Sequence, residues 1–155
     1  MNTETERKFL VKDDSYKAEA VRSYRITQGY IAHDSGNTVR VRIRDGVGFL
    51  TIKGMTSGCS RPEWEIEIPL KDAEDLFALC KPGSVDKTRH IIPASGGRYF
   101  EVDEFHGDNE GLVMAEIELG SEDESFLKPV WLGEEVTGDP RYYNSYLSRK
   151  PYRYW

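Results

Sequence analysis

Alternation between apolar and polar residues dominates the chain and predicts a protein built mainly from β-strands. Successive side chains of a strand point to opposite faces, so a repeat of two residues marks one apolar and one polar face. Asp45-Gly46 lies between two such segments and is typical of a hairpin turn. Turn-forming residues separate the other segments, and we predict eight strands, at residues 3–11, 24–32, 37–45, 48–53, 63–68, 85–92, 98–105 and 112–119.

Helical spacing of apolar residues is confined to three short segments. Residues 72–80 have their apolar positions on one helical face, with Asp72 as the predicted N-cap. The segment SEDESFL has Ser121 and Glu124 at capping-box spacing, which predicts a second helix that ends before the next proline. A third helix is predicted near 141–149. These helices are expected to cover apolar surface of the sheet.

The polar faces of the predicted strands carry charges of nearly one sign per strand. In VRVRIR the polar face holds three arginines, and in EWEIEI it holds three glutamates. Few Ser, Thr or Gln residues interrupt these faces. The basic positions on the polar faces are Lys8, Arg40, Arg42, Lys53, Lys87 and Arg89, and the acidic positions are Glu4, Glu6, Asp103, Glu116 and Glu118.

Charged strand faces often simply point to water, and this is the better interpretation for any single strand. For the whole set, the separation of the two signs favours a binding site. A row of basic residues at every second position can follow an extended polyanion, and carboxylates are ligands that Mg²⁺ or Mn²⁺ prefers. The pattern therefore indicates a metal-bound polyphosphate. If the sheet closes with its charged face inward, the helices cover its apolar outer face.

Composition and charge narrow the class of protein. With 155 residues, 38% of them hydrophobic, the chain fits one domain with its own core. A net charge of −6 and a pI near 5.2 argue against general binding to nucleic acid or anionic membranes. No segment resembles a membrane span, and Cys59 and Cys80 lack the spacing of a metal or redox motif. We expect a cytoplasmic protein with reduced cysteines and no membrane or nucleic-acid partner.

The order of several motifs resembles the CYTH family, the triphosphate tunnel metalloenzymes. ETERK matches the ExExK signature of that family, and it is followed by QGY, VRVRIR, TIKG, EWEIEI, DKTRH, FEVDEF, MAEIEL and GEEVTGDPRYYN. The ordered series covers nearly the whole chain. This resemblance implies a mainly β (α+β) fold, an eight-stranded closed antiparallel tunnel with a few covering helices, as a single domain over residues 1–155. We expect the C-terminal segment 146–155 to pack over one tunnel mouth.

The resemblance also implies roles for the charged residues. The phosphate ligands would be Lys8, Arg40, Arg42, Lys53, Lys87 and Arg89. The metal ligands would be Glu4, Glu6, Glu116 and Glu118, with Asp103 as a further acidic ligand. Glu63 and Glu65 share the tunnel-facing parity and either bind a second cation or hold the basic residues in place. Solvated or salt-bridged roles are expected near the strand ends, for Arg44, Glu67 and Glu101.

Lys8 and Tyr30 are the predicted catalytic residues. In some family members a matching tyrosine partners the signature lysine near the attacking water, and Tyr30 follows Gln28-Gly29 on the second predicted strand. A tyrosine in a strand is also common without such a role. Both interpretations of Tyr30 stay open at this point.

The resemblance implies divalent-metal-dependent hydrolysis of a small-molecule triphosphate. Inorganic triphosphate is the leading substrate, because a short chain without an added domain resembles the bacterial triphosphatases of the family. Class IV adenylate cyclase or thiamine triphosphatase activity on the same fold remains an alternative, as does non-catalytic binding of polyphosphate or a nucleotide. The carboxylates favour catalysis, since an anion binder gains nothing from them unless a metal intervenes. The sequence leaves the oligomeric state open.

Overall fold

The computed structural model describes residues 2–155 and shows antiparallel strands as the main element. These strands are β1 (Thr3–Val11), β2 (Arg22–Asp34), β3 (Asn37–Arg44), β4 (Val47–Lys53), β5 (Ser60–Ile68), β6 (Val85–Pro93), β7 (Tyr99–Phe105), β8 (Val113–Glu118) and β9 (Leu132–Glu135). The first eight are the strands predicted from the alternation of residues, and their ends lie within three residues of the prediction. The ninth strand was not predicted.

Strand pairing closes the sheet into a barrel. The order of neighbours is β5-β4-β3-β2-β6-β7-β8-β1, and β1 pairs back onto β5, with Thr5 opposite Ser60. The added strand β9 pairs with β1 further along, near Phe9 and Val11. In a closed barrel alternate residues of every strand face the interior, so the charged strand faces meet in one tunnel.

The predicted turn at Asp45-Gly46 is confirmed by its backbone angles. Both residues adopt positive φ, 52° for Asp45 and 79° for Gly46, as a two-residue hairpin turn of the primed type requires. This tight turn fixes the register between β3 and β4, which sets Arg42 opposite Phe49 and Arg40 opposite Thr51.

Helix α1 (Leu70–Phe77) packs on the outer face of the barrel. The prediction that Asp72 caps it is wrong, because the helix begins two residues earlier, directly after Pro69. Asp72 lies in the first turn, where a negative charge favours the helix dipole. Added at Gly48, a Cβ atom would lie only 2.7 Å from the Cβ of Ala73, so glycine lets the helix contact the sheet closely.

The predicted helix at residues 121–127 is also wrong, because this segment is irregular. The Glu124 carboxylate does accept a backbone N–H, that of Gly120, but it is also held by the Arg98 guanidinium. Phe126 packs against two aromatic rings of the core outside the barrel. Tertiary contacts of these side chains therefore replace the helix that the local capping signal predicts.

The third predicted helix is confirmed as α2 (Asn144–Arg149). At one end of the barrel the inner face becomes apolar, with Val85, Phe105 and Met114 next to the charged residues of their own strands. Leu147 of α2 is fully buried against this group. The helix therefore closes one end of the tunnel, as expected for the C-terminal segment.

Two remaining expectations concern the environment of the protein. Among residues 2–155, no helix has the length and apolar character needed to cross a membrane. Cys59 and Cys80 are free thiols, in agreement with the sequence analysis. The cytoplasmic location stays a prediction.

Candidate active site

The tunnel is a cavity of about 250 Å³ whose wall contains all the predicted site residues except Asp103. The register of the strands brings together residues that are far apart in the chain. Lys8 lies opposite Glu116, and Glu6 lies opposite Glu118, where β1 pairs with β8. The wall residues predicted from the sequence are Glu4, Glu6, Lys8, Tyr30, Arg40, Arg42, Lys53, Glu63, Glu65, Lys87, Arg89, Glu116 and Glu118.

One side of the tunnel has an excess of buried positive charge. Arg42 donates from Nε to the neutral Gln28 at 2.8 Å, and it forms no salt bridge with any residue of the described chain. The Nε of Arg40 is buried and has no hydrogen-bond partner within residues 2–155. Burial of polar groups without a partner is unfavourable, so these guanidinium groups are prepared to bind an anion.

Repulsion among the cations is visible in their pKa shifts. Burial lowers the pKa of Arg42, and the neighbouring Arg40 and Arg89 lower it further. Burial also lowers the pKa of Lys87 to about 7, although Asp103 opposes this effect. An oligophosphate bound beside these groups would supply the missing negative charge and favour their charged forms.

Carboxylates and two lysines occupy another part of the wall. Lys53 Nζ lies 3.0 Å from a carboxylate oxygen of Glu4, and Lys8 Nζ lies 3.2 Å from Glu116. Burial and the nearby Glu116 raise the pKa of Glu6 well above its usual range. Burial acts to raise the pKa of Glu116, but the neighbouring Lys8 keeps that pKa well below its usual range. A further cation near Glu6 would therefore stabilise the charged form of its carboxylate.

The tunnel carboxylates do not form a complete metal site. In the part of the chain that the structure describes, no three carboxylate, imidazole or thiol side chains converge on one point where a metal ion would bind. The lysines explain this arrangement, because Lys8 and Lys53 lie between the carboxylates and neutralise part of their charge. Carboxylate oxygens are the donor type that a hard divalent cation prefers. Such a cation would compete with the two lysine ammonium groups for these oxygens.

Asp103 lies behind the cations of the tunnel wall. Its carboxylate accepts from Arg89 at 2.8 and 2.9 Å and lies 2.7 Å from Lys87 Nζ. Although burial opposes the shift, these two cations lower the pKa of Asp103 to about 2. Both of its oxygens thus hold the side chains of neighbouring cations.

The two β5 glutamates that line the tunnel, Glu63 and Glu65, differ in their contacts. Burial and the nearby Glu4 raise the pKa of Glu63 to about 7, against the effect of Lys53. Glu65 accepts from the Thr51 hydroxyl at 3.0 Å and lies 3.7 Å from Arg40. The contacts of Glu65 fit the predicted alternative in which it holds a basic residue in place.

Comparison with known proteins identifies the family of this chain. The CYTH domain family matches residues 2–143. This chain belongs to the CYTH domain family. It is 47% identical over 154 residues to an inorganic triphosphatase of Acetivibrio thermocellus, covering 99% of this chain and 97% of that protein.

Further relatives support the same placement of this CYTH protein. An inorganic triphosphatase of Nitrosomonas europaea is 36% identical over 149 residues, covering 94% of this chain and 97% of the relative. The crystal structure of an inorganic triphosphatase superposes with a TM-score of 0.68 and 34% identity, covering 93% of this chain and 96% of the other. The predicted family and the closed eight-stranded barrel are therefore confirmed. The relatives named here have the hydrolase activity that the sequence analysis predicted.

Several polar residues of this CYTH tunnel were not predicted from the sequence. Arg61 faces the cavity, since β5 begins at Ser60 and Arg61 shares the parity of Glu63. The signal was present in the alternation, but the predicted strand began too late to include it. The Tyr143 ring lies under the Lys8 ammonium at 5.4 Å. No local pattern reveals this contact, because it joins opposite ends of the chain.

Of the residues expected at strand ends, Arg44 and Glu101 line the tunnel, and Glu67 is exposed, as a solvated role requires. Glu101 pairs with Arg89 at 3.0 Å, which confirms a salt-bridged role. Arg44 reaches the tunnel wall and stacks over the Phe49 ring at 4.6 Å. Arg7 has the opposite parity to Lys8 and pairs with Glu135 outside the tunnel.

Proposed function

We propose that this CYTH protein hydrolyses inorganic triphosphate to diphosphate and phosphate with the help of a divalent cation, Mg²⁺ or Mn²⁺. One observation carries the proposal: a single tunnel holds a row of buried cations lacking enough negative charge, beside a group of carboxylates lacking enough positive charge. A triphosphate with a bound divalent cation supplies both missing charges. The proposal treats residues 1–155 as one catalytic domain.

The cation row provides the phosphate site. Arg40 offers a buried Nε without a partner, and Arg42 keeps both terminal nitrogens free of acidic partners among the described residues. Guanidinium groups bind phosphate oxygens through pairs of parallel N–H bonds. Lys87 and Arg89 extend the row, and Asp103 holds both of them in position.

The carboxylates provide the oxygen donors that a hard divalent cation needs. We assign this role to Glu4, Glu6, Glu116 and Glu118, all of which line the tunnel. A bound cation would neutralise charge on phosphate oxygens and favour attack by water. The raised pKa of Glu6 indicates the same need, because a nearby cation stabilises its charged form. The choice between Mg²⁺ and Mn²⁺ remains a prediction.

Lys8 is the residue best placed to orient the reacting groups. It is buried between Glu6 and Glu116, and although its burial acts in the opposite direction, these carboxylates raise its pKa above the usual range. Lys8 therefore stays charged at neutral pH and acts as a hydrogen-bond donor rather than as a base. Tyr30 presents a second donor in the same tunnel.

The reaction then needs little covalent chemistry from the protein. A water molecule attacks the terminal phosphorus of the triphosphate and releases one proton to the solvent, and the bond to the bridging oxygen breaks. The leaving diphosphate carries the electron pair of that bond, and the arginines and lysines of the row stabilise its increasing charge. Positioning and charge stabilisation are thus the main contributions of the tunnel.

A substrate panel tests the proposal. Phosphate release is measured with inorganic triphosphate, ATP and thiamine triphosphate, each with Mg²⁺, with Mn²⁺ and with excess chelator, and cyclic AMP is assayed in parallel. We expect inorganic triphosphate to be hydrolysed fastest and only with metal. Faster release from ATP or thiamine triphosphate, or formation of cyclic AMP, would reassign the substrate, and no turnover at all would leave a binding protein.

A further inference from the structure

Gln28 is a fully buried amide below the catalytic part of the tunnel. It lies on β2, two residues before Tyr30, and none of its surface is exposed. Its Oε1 accepts from Arg42 Nε at 2.8 Å. Its Nε2 donates to the Tyr30 hydroxyl at 3.2 Å and to Asn144 Oδ1 at 3.3 Å. Both ends of the amide are therefore used.

The neighbours of Gln28 determine which way its amide points. Arg42 has only donors, so the oxygen of Gln28 must face it. On the other side, Lys87 Nζ donates to Asn144 Oδ1 at 2.9 Å, which fixes that oxygen as an acceptor. The NH₂ group of Gln28 then faces Asn144 and Tyr30, and a flipped amide would lose these bonds.

This arrangement determines how the Tyr30 hydroxyl is used. A hydroxyl has one proton, and Tyr30 already accepts a hydrogen bond from Gln28. Its own proton is therefore available for a group inside the tunnel, whose wall includes Tyr30. Arg42 is affected in a similar way, because its Nε is held by Gln28 and its two terminal nitrogens remain for phosphate oxygens.

We propose that Gln28 is a positioning residue that directs the Tyr30 hydroxyl proton and the terminal nitrogens of Arg42 towards the triphosphate. Asn144 of α2 supports it from the closed end of the tunnel, so the helix that closes the barrel also orders the site. The inference rests on the proposed function. It adds a neutral residue to a site otherwise described by its charges.

Gln28→Glu separates the roles of the two ends of the amide. The introduced carboxylate still accepts from Arg42, but it cannot donate, so it accepts the proton of Tyr30 and withdraws it from the substrate. We expect kcat to fall about tenfold or more in the otherwise unchanged chain. In a Tyr30→Phe background, the same substitution should change kcat less than about threefold, because no hydroxyl remains to be redirected.

KM provides the matching readout. The added negative charge weakens triphosphate binding whether or not Tyr30 carries a hydroxyl, so KM should rise by the same factor in both backgrounds. Arg25→Ala is the control on the same strand, because Arg25 points outward and pairs with Asp86 on the surface. Both constants should stay within about twofold of the parent protein in this control.

Two further variants keep the test decisive if Gln28→Glu fails to fold, as judged by thermal melting. Gln28→Met keeps the size of the side chain and removes all three of its hydrogen bonds. Asn144→Ala removes the support from α2 without changing β2. Each should lower kcat more in the parent than in the Tyr30→Phe background. Gln28→Met should also weaken binding of imidotriphosphate, measured by calorimetry, about tenfold or more.

The outcomes separate this inference from the proposed function. An equal loss of kcat in both backgrounds, for whichever of these variants fold, would overturn the positioning role and leave only structural support. Loss confined to the background with the hydroxyl supports it. If the parent protein releases no phosphate from triphosphate, the proposed function itself fails, whereas activity with equal losses overturns the inference alone.

Discussion

Replacement of a single tunnel arginine should weaken triphosphate binding without weakening the fold. In the free protein Arg40 contributes little to stability: its Nε has no partner within residues 2–155, and its Nη2 reaches only Thr51, at 3.2 Å, and Glu65, at 3.7 Å. Its charge also lowers the pKa of the neighbouring Arg42. Arg40→Ala therefore removes a repulsion along with one hydrogen bond to a hydroxyl and a 3.7 Å ion pair at the edge of the tunnel, and these changes oppose each other.

The effect on binding should be larger than the effect on folding. A lost hydrogen bond to a charged phosphate is on the order of 1.5–3 kcal/mol, or roughly ten- to hundredfold in affinity. Arg7→Ala is the matched control. Arg7 lies outside the tunnel in a bidentate pair with Glu135, at 2.8 and 2.7 Å, so its loss costs less than about 1 kcal/mol of unfolding free energy and no affinity.

Calorimetric titration with imidotriphosphate, together with thermal melting, checks both parts. Arg40→Ala should bind the ligand roughly ten- to hundredfold more weakly while its Tm stays the same or rises. Arg7→Ala should bind normally with a Tm lower by less than about 4 °C. Equal losses of affinity in the two variants would show that the tunnel-facing parity has been assigned to the wrong residues.

Further predictions concern the carboxylates, the signature lysine and pH. Glu6→Gln and Glu118→Gln should each abolish metal-dependent phosphate release while Tm holds or rises, because the pKa of both carboxyl groups is raised by burial and neighbouring carboxylates; full turnover in both would refute the metal assignment. Lys8→Met should remove far more activity in the same assay than Cys59→Ser, whose thiol has no assigned role, and near-normal turnover would exclude Lys8 from the reaction. Affinity for imidotriphosphate without metal should fall as pH rises above 7, since Lys87, with a pKa of about 7, is then neutral in the free protein and must take up a proton to bind. At saturating substrate the rate should instead rise towards alkaline pH, because the attacking water must lose a proton; a maximum near pH 6 would indicate that a side chain of the protein accepts it.

Local alternation was sufficient to predict the strands and the direction of most charged side chains. Arg40 and Arg42 share a face because a strand repeats every two residues, and no tertiary information is needed for that conclusion. The same reasoning placed Glu63 on the tunnel side. Closure of the sheet into a barrel was predicted from the family resemblance, and this closure brings the charged strand faces into one cavity.

Contacts between distant segments could not be predicted in this way. Gln28 and Asn144 are 116 residues apart in the chain, and only the position of α2 brings them together. Asp103 has the parity of a metal ligand, but the register of β6 and β7 places it directly opposite Arg89, whose guanidinium it binds. The helix predicted near Glu124 is absent for the same reason. The Glu124 side chain pairs with Arg98, which comes from a distant part of the chain.

Phosphorus NMR of the protein with inorganic triphosphate tests the central claim most directly. With Mg²⁺ present, the triphosphate signals should disappear while orthophosphate and diphosphate appear in equal amounts. Reactions with Mn²⁺ are read after the paramagnetic ion has been removed with chelator, and chelator added at the start should stop the reaction with either metal. This result would show hydrolysis at the terminal phosphorus by a metal-dependent tunnel. Triphosphate that remains intact with both metals, while still binding to the protein, would contradict the catalytic account.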